Sequence, residues 1–253
     1  MKNKVSIIIP YYKKINFIGE TLKSIFAQTY KNFEVILIYD DPARSDLKKL
    51  KEKIGKKKIK LLMNRYNIGA GLSRNKGALN AKGKYLAFID ADDIWDKNKL
   101  KFQLKFMNQN DLNFSFTTYS IFKKKKKLGK IKAKKKLTYN DLKKSCDIGL
   151  STVIIKKEIF IKYLFSKNKT KEDYSLWLRL SKDMTLHGLN KNLVKWRKVE
   201  GSLSSNIYQK LKDAFLIYFY QEKQGILRSF LSIFILSMNY LIKKKTSKKY
   251  EQY

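Results

Sequence analysis

Short apolar runs alternate with stretches of helical periodicity through the first hundred residues of the chain. The runs are rich in Val, Ile and Leu, as expected for strands buried on both faces of a parallel sheet. They lie at residues 5–10, 33–39, 59–63 and 85–89. The segments between them predict helices at residues 17–29, 46–54 and 72–81. This alternation predicts an α/β fold with a Rossmann-like, doubly wound, mostly parallel sheet and right-handed crossovers.

The pattern is less regular in the second half. Residues 113–122 alternate like a strand, and the apolar run at 149–155 predicts another. Short helices are predicted at 158–162 and 172–180, the second with two acids in its first turn. Beyond residue 205 two strongly apolar stretches, 211–220 and 226–242, predict a C-terminal helical appendage.

The stretch at 226–242 leaves two alternatives open. Its 17 residues are interrupted by polar side chains and followed by three lysines, whereas a membrane-spanning helix needs about 20 predominantly apolar residues. It could lie in a membrane surface, with the lysines against anionic lipid. It could equally be an amphipathic helix packed on the rest of the chain or on a second copy. A true membrane span ranks third.

The net charge of +36 first suggests nucleic acid or an anionic membrane as a partner. However, 51 of the 57 basic residues are lysine, spread along the chain, and only six are arginine. Nucleic-acid sites rely on arginine for bidentate contacts, so no specific nucleic-acid partner is expected. A solvated lysine surface is the first interpretation, and attraction to lipid head groups is the second.

Cysteine content and the N-terminus bear on the compartment. A single cysteine, Cys146, excludes an internal disulfide framework and fits a reducing environment. No signal peptide is visible, because only five apolar or small residues separate Lys4 from Pro10. We therefore expect a cytoplasmic protein, with the cytoplasmic face of the inner membrane as an alternative.

An acidic cluster, residues 90–93, follows the fourth predicted strand directly. Ligands of open α/β sheets bind beyond the carboxyl ends of the strands. Asp90 and Asp92 flank Ala91 and could share a hard divalent cation, Mg²⁺ or Mn²⁺, which typically takes one or two carboxylates while substrate phosphates complete its shell. An isolated Asp-x-Asp is more often a solvated loop or a helix cap, so this motif is weak by itself.

Several segments, in this order and spacing, make a specific pattern. They are VSIIIPYY at 5–12, FEVILIYDD at 33–41, NIGAGLSRNKG at 67–77, YLAFIDADD at 85–93, GLSTVIIKKEIF at 149–160, EDYSLWLRL at 172–180 and WRKVEGSLS at 196–204. The sequence resembles glycosyltransferase family 2, the inverting enzymes with the GT-A fold, over residues 5–204. The resemblance implies a catalytic domain at 1–207, with a nucleotide-binding half at 1–110 and an acceptor-binding half at 111–207. The helical segment at 208–253 follows it.

The resemblance also implies a set of donor-binding residues. Pro10 and Tyr11 would border the nucleotide base, with the ring stacking on uracil, and Asp41 would hydrogen-bond the base. The alternatives are that Pro10 ends a strand and that Tyr11 is a core residue. The turn after Asp41 departs from the family pattern, because residues 42–45 replace the usual Gly-Ser. The remaining donor contacts implied are Asn67, Gly69, Arg74, Asp90, Ala91 and Arg197.

The resemblance assigns the metal and the base as well. Asp92 would bind the Mg²⁺ or Mn²⁺ that bridges the diphosphate. Asp173 of the Glu172-Asp173 pair would take the proton of the acceptor hydroxyl. Plain helix capping is the alternative for this pair, and a surface ion pair is the alternative for Arg74.

One departure concerns the segment at 196–204. Many relatives carry a histidine there, and this chain has Val199. The single histidine, His187, is expected to be structural. Ser202 and Ser204 are further candidates, with Arg197, for holding the diphosphate.

Three functions compete on these grounds. The first is a metal-dependent inverting glycosyltransferase that uses a UDP-sugar donor to extend a cell-surface or lipid-linked glycan, with peripheral membrane contact. The second is a nucleotide-sugar-binding relative that has lost catalysis, which the altered turn and the absent histidine permit. A basic nucleic-acid-binding protein is the most remote. The sequence selects neither the sugar nor the acceptor.

Overall fold

A computed structural model describes residues 3–124, 126–199 and 206–249 of the chain, and a mixed sheet lies at its centre. Its strands in this described part are β1 Val5–Tyr11, β2 Phe33–Tyr39, β3 Ile59–Met63, β4 Tyr85–Phe88, β5 Ile94–Trp95, β6 Phe114–Lys123, β7 Lys126–Ile131, β8 Lys136–Leu137, β9 Ile154–Lys156 and β10 Leu186–Arg197. The order is β3-β2-β1-β4-β9-β6-β10-β5, with β7 on β6 and β8 on β10.

Helices cover the sheet. Those in the described ranges are α1 Ile15–Phe26, α2 Leu47–Ile54, α3 Gly69–Leu79, α4 Lys99–Gln109, α5 Tyr139–Lys144, α6 Lys157–Tyr163, α7 Glu172–Asp183, α8 Ile207–Leu216 and α9 Ile226–Lys249. A 3₁₀ turn at Leu150–Thr152 precedes β9, and a π-helical turn at Ile217–Gln221 follows α8.

The first four strands are parallel, as the sequence predicts, and β2 and β3 have the predicted bounds. Alternate residues of each strand enter two separate cores. Ile8 and Ile36 belong to one core, and Ile7 and Val35 belong to the other. Burial on both faces favours apolar residues along β1 and β4, whereas β3 is only partly buried.

The second half of the sheet is mixed. The pairs β4–β9, β6–β9 and β10–β5 are antiparallel, whereas β6–β10 is parallel. The predicted strand at 149–155 is strand only from Ile154, because Leu150–Thr152 forms the 3₁₀ turn, where the Thr152 hydroxyl donates to Gly149 O. The long strand β10 was not predicted. Its register shifts twice between Leu189 and Val194, which breaks the alternation of side chains.

The π-helical turn after α8 packs on α7. The Tyr218 hydroxyl lies 2.7 Å from that of Tyr174, and Gln221 bonds both the hydroxyl and the carbonyl of Ser175. Ile217, Tyr218 and Leu236 join the core beneath α7. Of the helices the structure describes, none is both long enough and apolar enough to cross a membrane. Thus α9 packs partly on the domain, while much of its apolar surface stays exposed.

Candidate active site

The carboxyl ends of β1, β2 and β4 bring three loops together, and the segment that leads into α3 is held by Asp40, directly after β2. Its carboxylate accepts the backbone N–H groups of Ile68 and Gly69 at 2.9 Å each and the side-chain amide of Asn64 at 2.8 Å. Asn67 donates to its carbonyl at 3.0 Å. Asp40 thus caps α3, which begins at Gly69, three residues earlier than predicted. Gly69 has φ +83°, a conformation that favours glycine.

Tyr11 ends β1 and Tyr12 follows it, and only Tyr11 was expected to stack on the base. Tyr11 is fully buried, stacks on Tyr39 with centroids 5.5 Å apart, and donates to Asp46 at 2.5 Å. Its ring is therefore a core ring, the alternative that the sequence left open, and is closed to a base in this conformation. Tyr12, 45% exposed, offers the free ring at this edge. Pro10 does not end the strand, which continues through Tyr11.

Asp41 is held by its own turn. Its carboxylate accepts from the Ala43 N–H and from both the N–H and the hydroxyl of Ser45. The Ser45 hydroxyl is the main cause that lowers the pKa of Asp41. Residues 42–45 thus replace the family's Gly-Ser with a turn that closes around the acid, and Asp41 is only 2% exposed.

The first two acids of the cluster, Asp90 and Asp92, each have a cationic partner. Asp90 accepts from Arg74 Nη2 at 2.7 Å, and Asp92 lies 2.8 Å from Lys14 Nζ. Burial and the neighbouring Asp90 raise the pKa of Asp92, while Lys14 opposes that rise. The cation that the cluster requires is thus supplied, in the protein alone, by its own side chains.

Asp93 is buried and has a structural role. It accepts the Ser151 hydroxyl at 2.5 Å and the Arg197 N–H at 2.9 Å. Burial, with the negative charges of Asp90 and Asp92, raises its pKa well above the usual range. Ala91 is also buried, and its carbonyl accepts from Thr21 Oγ1 of α1. These bonds fix the cluster to α1, β10 and the 3₁₀ turn.

Arg74 joins the donor side of the site to α7. Its guanidinium is 3% exposed and bonds Asp90 and Glu172, each at 2.7 Å, while lying 5.5 Å from the ring of Phe165. Helices α3 and α7 approach each other closely here, because a Cβ on Gly71 of α3 would lie 3.1 Å from the Glu172 side chain of α7. The surface ion pair considered for Arg74 is therefore wrong: the ion pair is buried and double.

Asp173 follows Glu172 in the first turn of α7. It is partly buried, and its carboxylate accepts the N–H of Tyr174 at 2.7 Å. Burial, followed by the charge of Glu172, raises its pKa to about 6, against the opposing effects of the Tyr174 N–H, Arg74 and Lys171. A carboxylate with this pKa is ionised at neutral pH and basic enough to accept a proton there.

Arg197 braces the acidic cluster from β10. Its Nε donates to Asp92 O at 2.8 Å and its Nη2 to Glu20 at 2.7 Å. The guanidinium lies 5.0 Å from the ring of Phe17 and 4.6 Å from that of Phe122. Its Nε reaches the backbone of the acidic cluster, so its position supports that cluster rather than an open diphosphate site.

The segment after β10 adds no histidine to the site. Val199 is part of the described chain, whereas Ser202 and Ser204 lie outside the described residues. His187 pairs with β6 and β8, and burial and Lys136 lower its pKa. It is a neutral strand residue, as expected.

Two carboxylates of the cluster fit a shared divalent cation. The side chains of Asp90 and Asp92 remain 32% and 13% exposed, whereas Asp93 is closed off. Mg²⁺ commonly takes one or two carboxylates and completes its shell with substrate phosphates. Within residues 3–124, 126–199 and 206–249, no group of three or more His, Cys, Asp or Glu side chains could hold a metal alone. The donor set suits a metal that arrives with a diphosphate.

Three residues of this site were not found from the sequence. Lys14 is one lysine among 51, so its position carried no signal. Glu172 was expected only as the neighbour of Asp173, and Ser151 was hidden in a predicted strand. Their partners lie 78, 98 and 58 residues away, distances that no local pattern encodes.

Comparisons with known proteins show the family of the chain. The model of the family described as glycosyl transferase family 2 matches residues 6–166. The Escherichia coli enzyme UDP-Glc:alpha-D-GlcNAc-diphosphoundecaprenol beta-1,3-glucosyltransferase WfgD is 37% identical over 210 residues, 82% of each chain. TuaG of Bacillus subtilis strain 168, a glycosyltransferase assigned to teichuronic acid biosynthesis, is 36% identical and covers 86% of this chain and 88% of its own.

Solved structures share the fold. S. aureus TarS 1–349 in complex with UDP-GlcNAc superimposes with a TM-score of 0.69 at 20% identity, over 91% of this chain and 70% of TarS. The mannosyltransferase PcManGT from Pyrobaculum calidifontis, in complex with GDP-Man and Mn²⁺, gives a TM-score of 0.61 at 14% identity, over 92% of this chain and 70% of its own. The GT-A fold expected from the sequence is confirmed. The chain belongs to glycosyl transferase family 2.

Proposed function

We propose that this protein transfers a sugar, with inversion, from a UDP-sugar to a hydroxyl of a polyprenyl-diphosphate-linked cell-surface glycan. One observation carries the proposal: a single buried guanidinium, that of Arg74, holds both Asp90 of the donor loop and Glu172, the neighbour of the base Asp173. Related proteins support the substrate class. WfgD is named for a UDP-Glc donor and a diphosphoundecaprenol acceptor, and TarS was solved with UDP-GlcNAc.

The reaction follows from the placement of Asp173. The acceptor oxygen attacks the anomeric carbon from the face opposite UDP, the bond to the UDP oxygen breaks, and the hydroxyl proton passes to the Asp173 carboxylate. A pKa of about 6 keeps that carboxylate ionised at neutral pH. Mg²⁺ or Mn²⁺ held by Asp92, with Asp90 beside it, would stabilise the negative charge of the departing diphosphate.

The donor base is proposed to lie at the edge formed by β1 and β2. The exposed ring of Tyr12 offers a stacking face, a contact that is worth about 1–3 kcal/mol per base in nucleic-acid complexes. The loop of Asn67 and Gly69 is held at the same edge by its bonds to Asp40, and Asp41 follows Asp40 in the turn that Ala43 and Ser45 close.

The test is UDP release from a panel of UDP-sugars, with Mn²⁺, Mg²⁺ or EDTA. Asp173→Asn is expected to lower turnover at least about 100-fold, while donor binding, read by calorimetry, persists. Asp92→Ala is expected to lose the response to metal. Asp183→Asn, an exposed acid at the other end of α7, is the matched control and should retain full activity. Native-like turnover in Asp173→Asn, or a folded native protein that binds no nucleotide sugar with metal present, would refute the proposal.

We further infer that α9 contacts an anionic membrane. Six apolar residues, 42–86% exposed, recur at spacings of three and four on the face opposite its buried residues Ser229 and Leu236. They are Leu227, Phe230, Leu231, Phe234, Met238 and Leu241. Lysines follow this face in the sequence at 243–245, which suits anionic lipid and a lipid-linked acceptor.

Vesicle sedimentation tests the membrane contact. The native protein is expected to bind vesicles containing phosphatidylglycerol and to bind pure phosphatidylcholine weakly. The variant Phe230→Ser/Phe234→Ser should lose most binding without losing donor affinity. Leu79→Ser, an exposed apolar residue of α3, is the control. Equal binding by the double variant, or a concentration-dependent dimer that replaces vesicle binding, would overturn this inference.

A further inference from the structure

Lys14 lies against the acidic cluster, a position that the amino-acid sequence did not predict. Its Nζ lies 2.8 Å from Asp92 Oδ2, with side chains 25% and 13% exposed. The backbone fixes the lysine there, because its carbonyl accepts the N–H groups of Phe17 and Ile18, each at 3.0 Å, where α1 begins. The side chain of Lys14 is long enough to reorient, while its backbone is held between the end of β1 and the start of α1.

This ion pair bears on how a metal can bind. One of the two carboxylate oxygens of Asp92, Oδ2, already contacts an ammonium group. A divalent cation at the same carboxylate would either displace Nζ or be repelled by it at short range. The described residues also provide no cluster of three or more metal-ligating side chains that would compensate. The protein without donor is therefore expected to bind metal weakly.

A diphosphate changes this balance. Its negative charges can take both cations as partners, the metal at Asp92 and the ammonium of Lys14, so that neither competes for one carboxylate. We propose that Lys14 holds Asp92 in the free protein and turns to the donor's diphosphate when metal and donor bind together. Metal and nucleotide then bind cooperatively, and Lys14 is a donor-binding residue. This inference rests on the proposed function of the site.

The experiment measures Mn²⁺ and UDP binding rather than sugar transfer. Free Mn²⁺ is followed by electron paramagnetic resonance, with and without UDP, and UDP binding by calorimetry with and without Mn²⁺. Lys14→Met is expected to bind Mn²⁺ about tenfold more tightly without UDP, and to bind UDP with Mn²⁺ about tenfold more weakly. Lys14→Arg should resemble the native protein. Lys23→Met, an exposed lysine of α1, is the matched control.

Each outcome decides one of the two proposals. If the native protein binds UDP and Mn²⁺ cooperatively but folded Lys14→Met behaves like the native protein, the role of Lys14 is refuted and the proposed function stands. If the native protein binds no UDP with Mn²⁺ present, both fail. Should Lys14→Met not fold, Lys14→Gln keeps a polar side chain without the charge, and the same two affinities decide the question.

Discussion

Removal of Arg74 should lower stability, because Asp90 and Glu172 lose their shared cation, and should change catalysis, because the pKa of Asp173 rises. Its guanidinium is 3% exposed and pairs with two carboxylates at 2.7 Å. Loss of one member of a buried pair costs about 3–5 kcal/mol, because the remaining charge is left uncompensated. Since the Asp90 side chain is 32% exposed, water can solvate part of that charge, and we expect the lower end of the range, about 3 kcal/mol, for Arg74→Met.

Urea denaturation measures this loss. With a slope of about 3 kcal/mol per molar urea, the midpoint should fall by about 1 M. Arg74→Lys keeps the charge but not the planar fork that reaches both carboxylates, so about half of the loss should remain. A midpoint for Arg74→Met that stays within about 0.2 M of the native value would show that the double ion pair adds little.

Arg74 should also affect the pH dependence of transfer, because it lowers the pKa of Asp173, the proposed base. The acidic limb of kcat/KM should fall at about pH 6, where Asp173 becomes protonated. Arg74 lowers the pKa of Asp173 and Glu172 raises it. Arg74→Met should therefore move the limb to higher pH, whereas Glu172→Gln should move it to lower pH. UDP-release rates from about pH 5 to 8 test this, and shifts of the same sign in both variants would refute the assignment of Asp173.

Three further predictions follow from contacts elsewhere. Gly77→Ala should destabilise the protein by about 1–3 kcal/mol, because the new Cβ would lie 2.7 Å from Ile8 and Ile38, whereas Gly225→Ala, with no atom within 4 Å, should not; equal urea midpoints would contradict this. Tyr12→Ala should weaken UDP binding about tenfold. Tyr11→Phe should keep UDP affinity and lose about 1 kcal/mol of stability, because it removes the hydrogen bond to Asp46. If calorimetry shows weaker UDP binding in Tyr11→Phe and not in Tyr12→Ala, Tyr11 contacts the base. Gln221→Ala should cost about 1–2 kcal/mol by removing both hydrogen bonds between Gln221 and Ser175 of α7, with Gln224→Ala as control; an unchanged midpoint would mean that the C-terminal turn does not brace α7.

The sequence predicted the parallel half of the sheet well, for a physical reason. Strand β2 is apolar except for Glu34 and is buried along its last five residues, and such runs have few other interpretations. Strand β3 lies at the edge of the described sheet, is apolar except for Lys60 and is partly buried. Strand β10 carries polar side chains and two register shifts between Leu189 and Val194, which interrupt the alternation of apolar and polar residues that would predict a strand. The 3₁₀ turn at Leu150–Thr152 was instead predicted to be strand, because it lies in a buried segment that is not extended.

Site residues with a local sequence motif could likewise be predicted, and those that depend on distant partners could not. Asp92 and Asp173 could be proposed from motifs at the end of a strand and the start of a helix. Lys14 and Glu172 could not, because each acts through a partner far away in the chain. Tyr11 and Tyr12 adjoin in sequence and point to opposite environments, one to the core and one to the open edge. One residue of register therefore decided which ring is free.

The acidic cluster is stable in the protein alone because its charges have separate partners. Asp90 is held by Arg74, Asp92 by Lys14, and Asp93 by Ser151 and the N–H of Arg197. A cluster compensated in this way does not need a metal to fold, so a metal requirement would arise only when a diphosphate draws Lys14 away from Asp92. If that is correct, chelation should leave the urea midpoint unchanged while it abolishes transfer. A chelator that lowered the midpoint as well would show that the metal, and not Lys14, holds the cluster together.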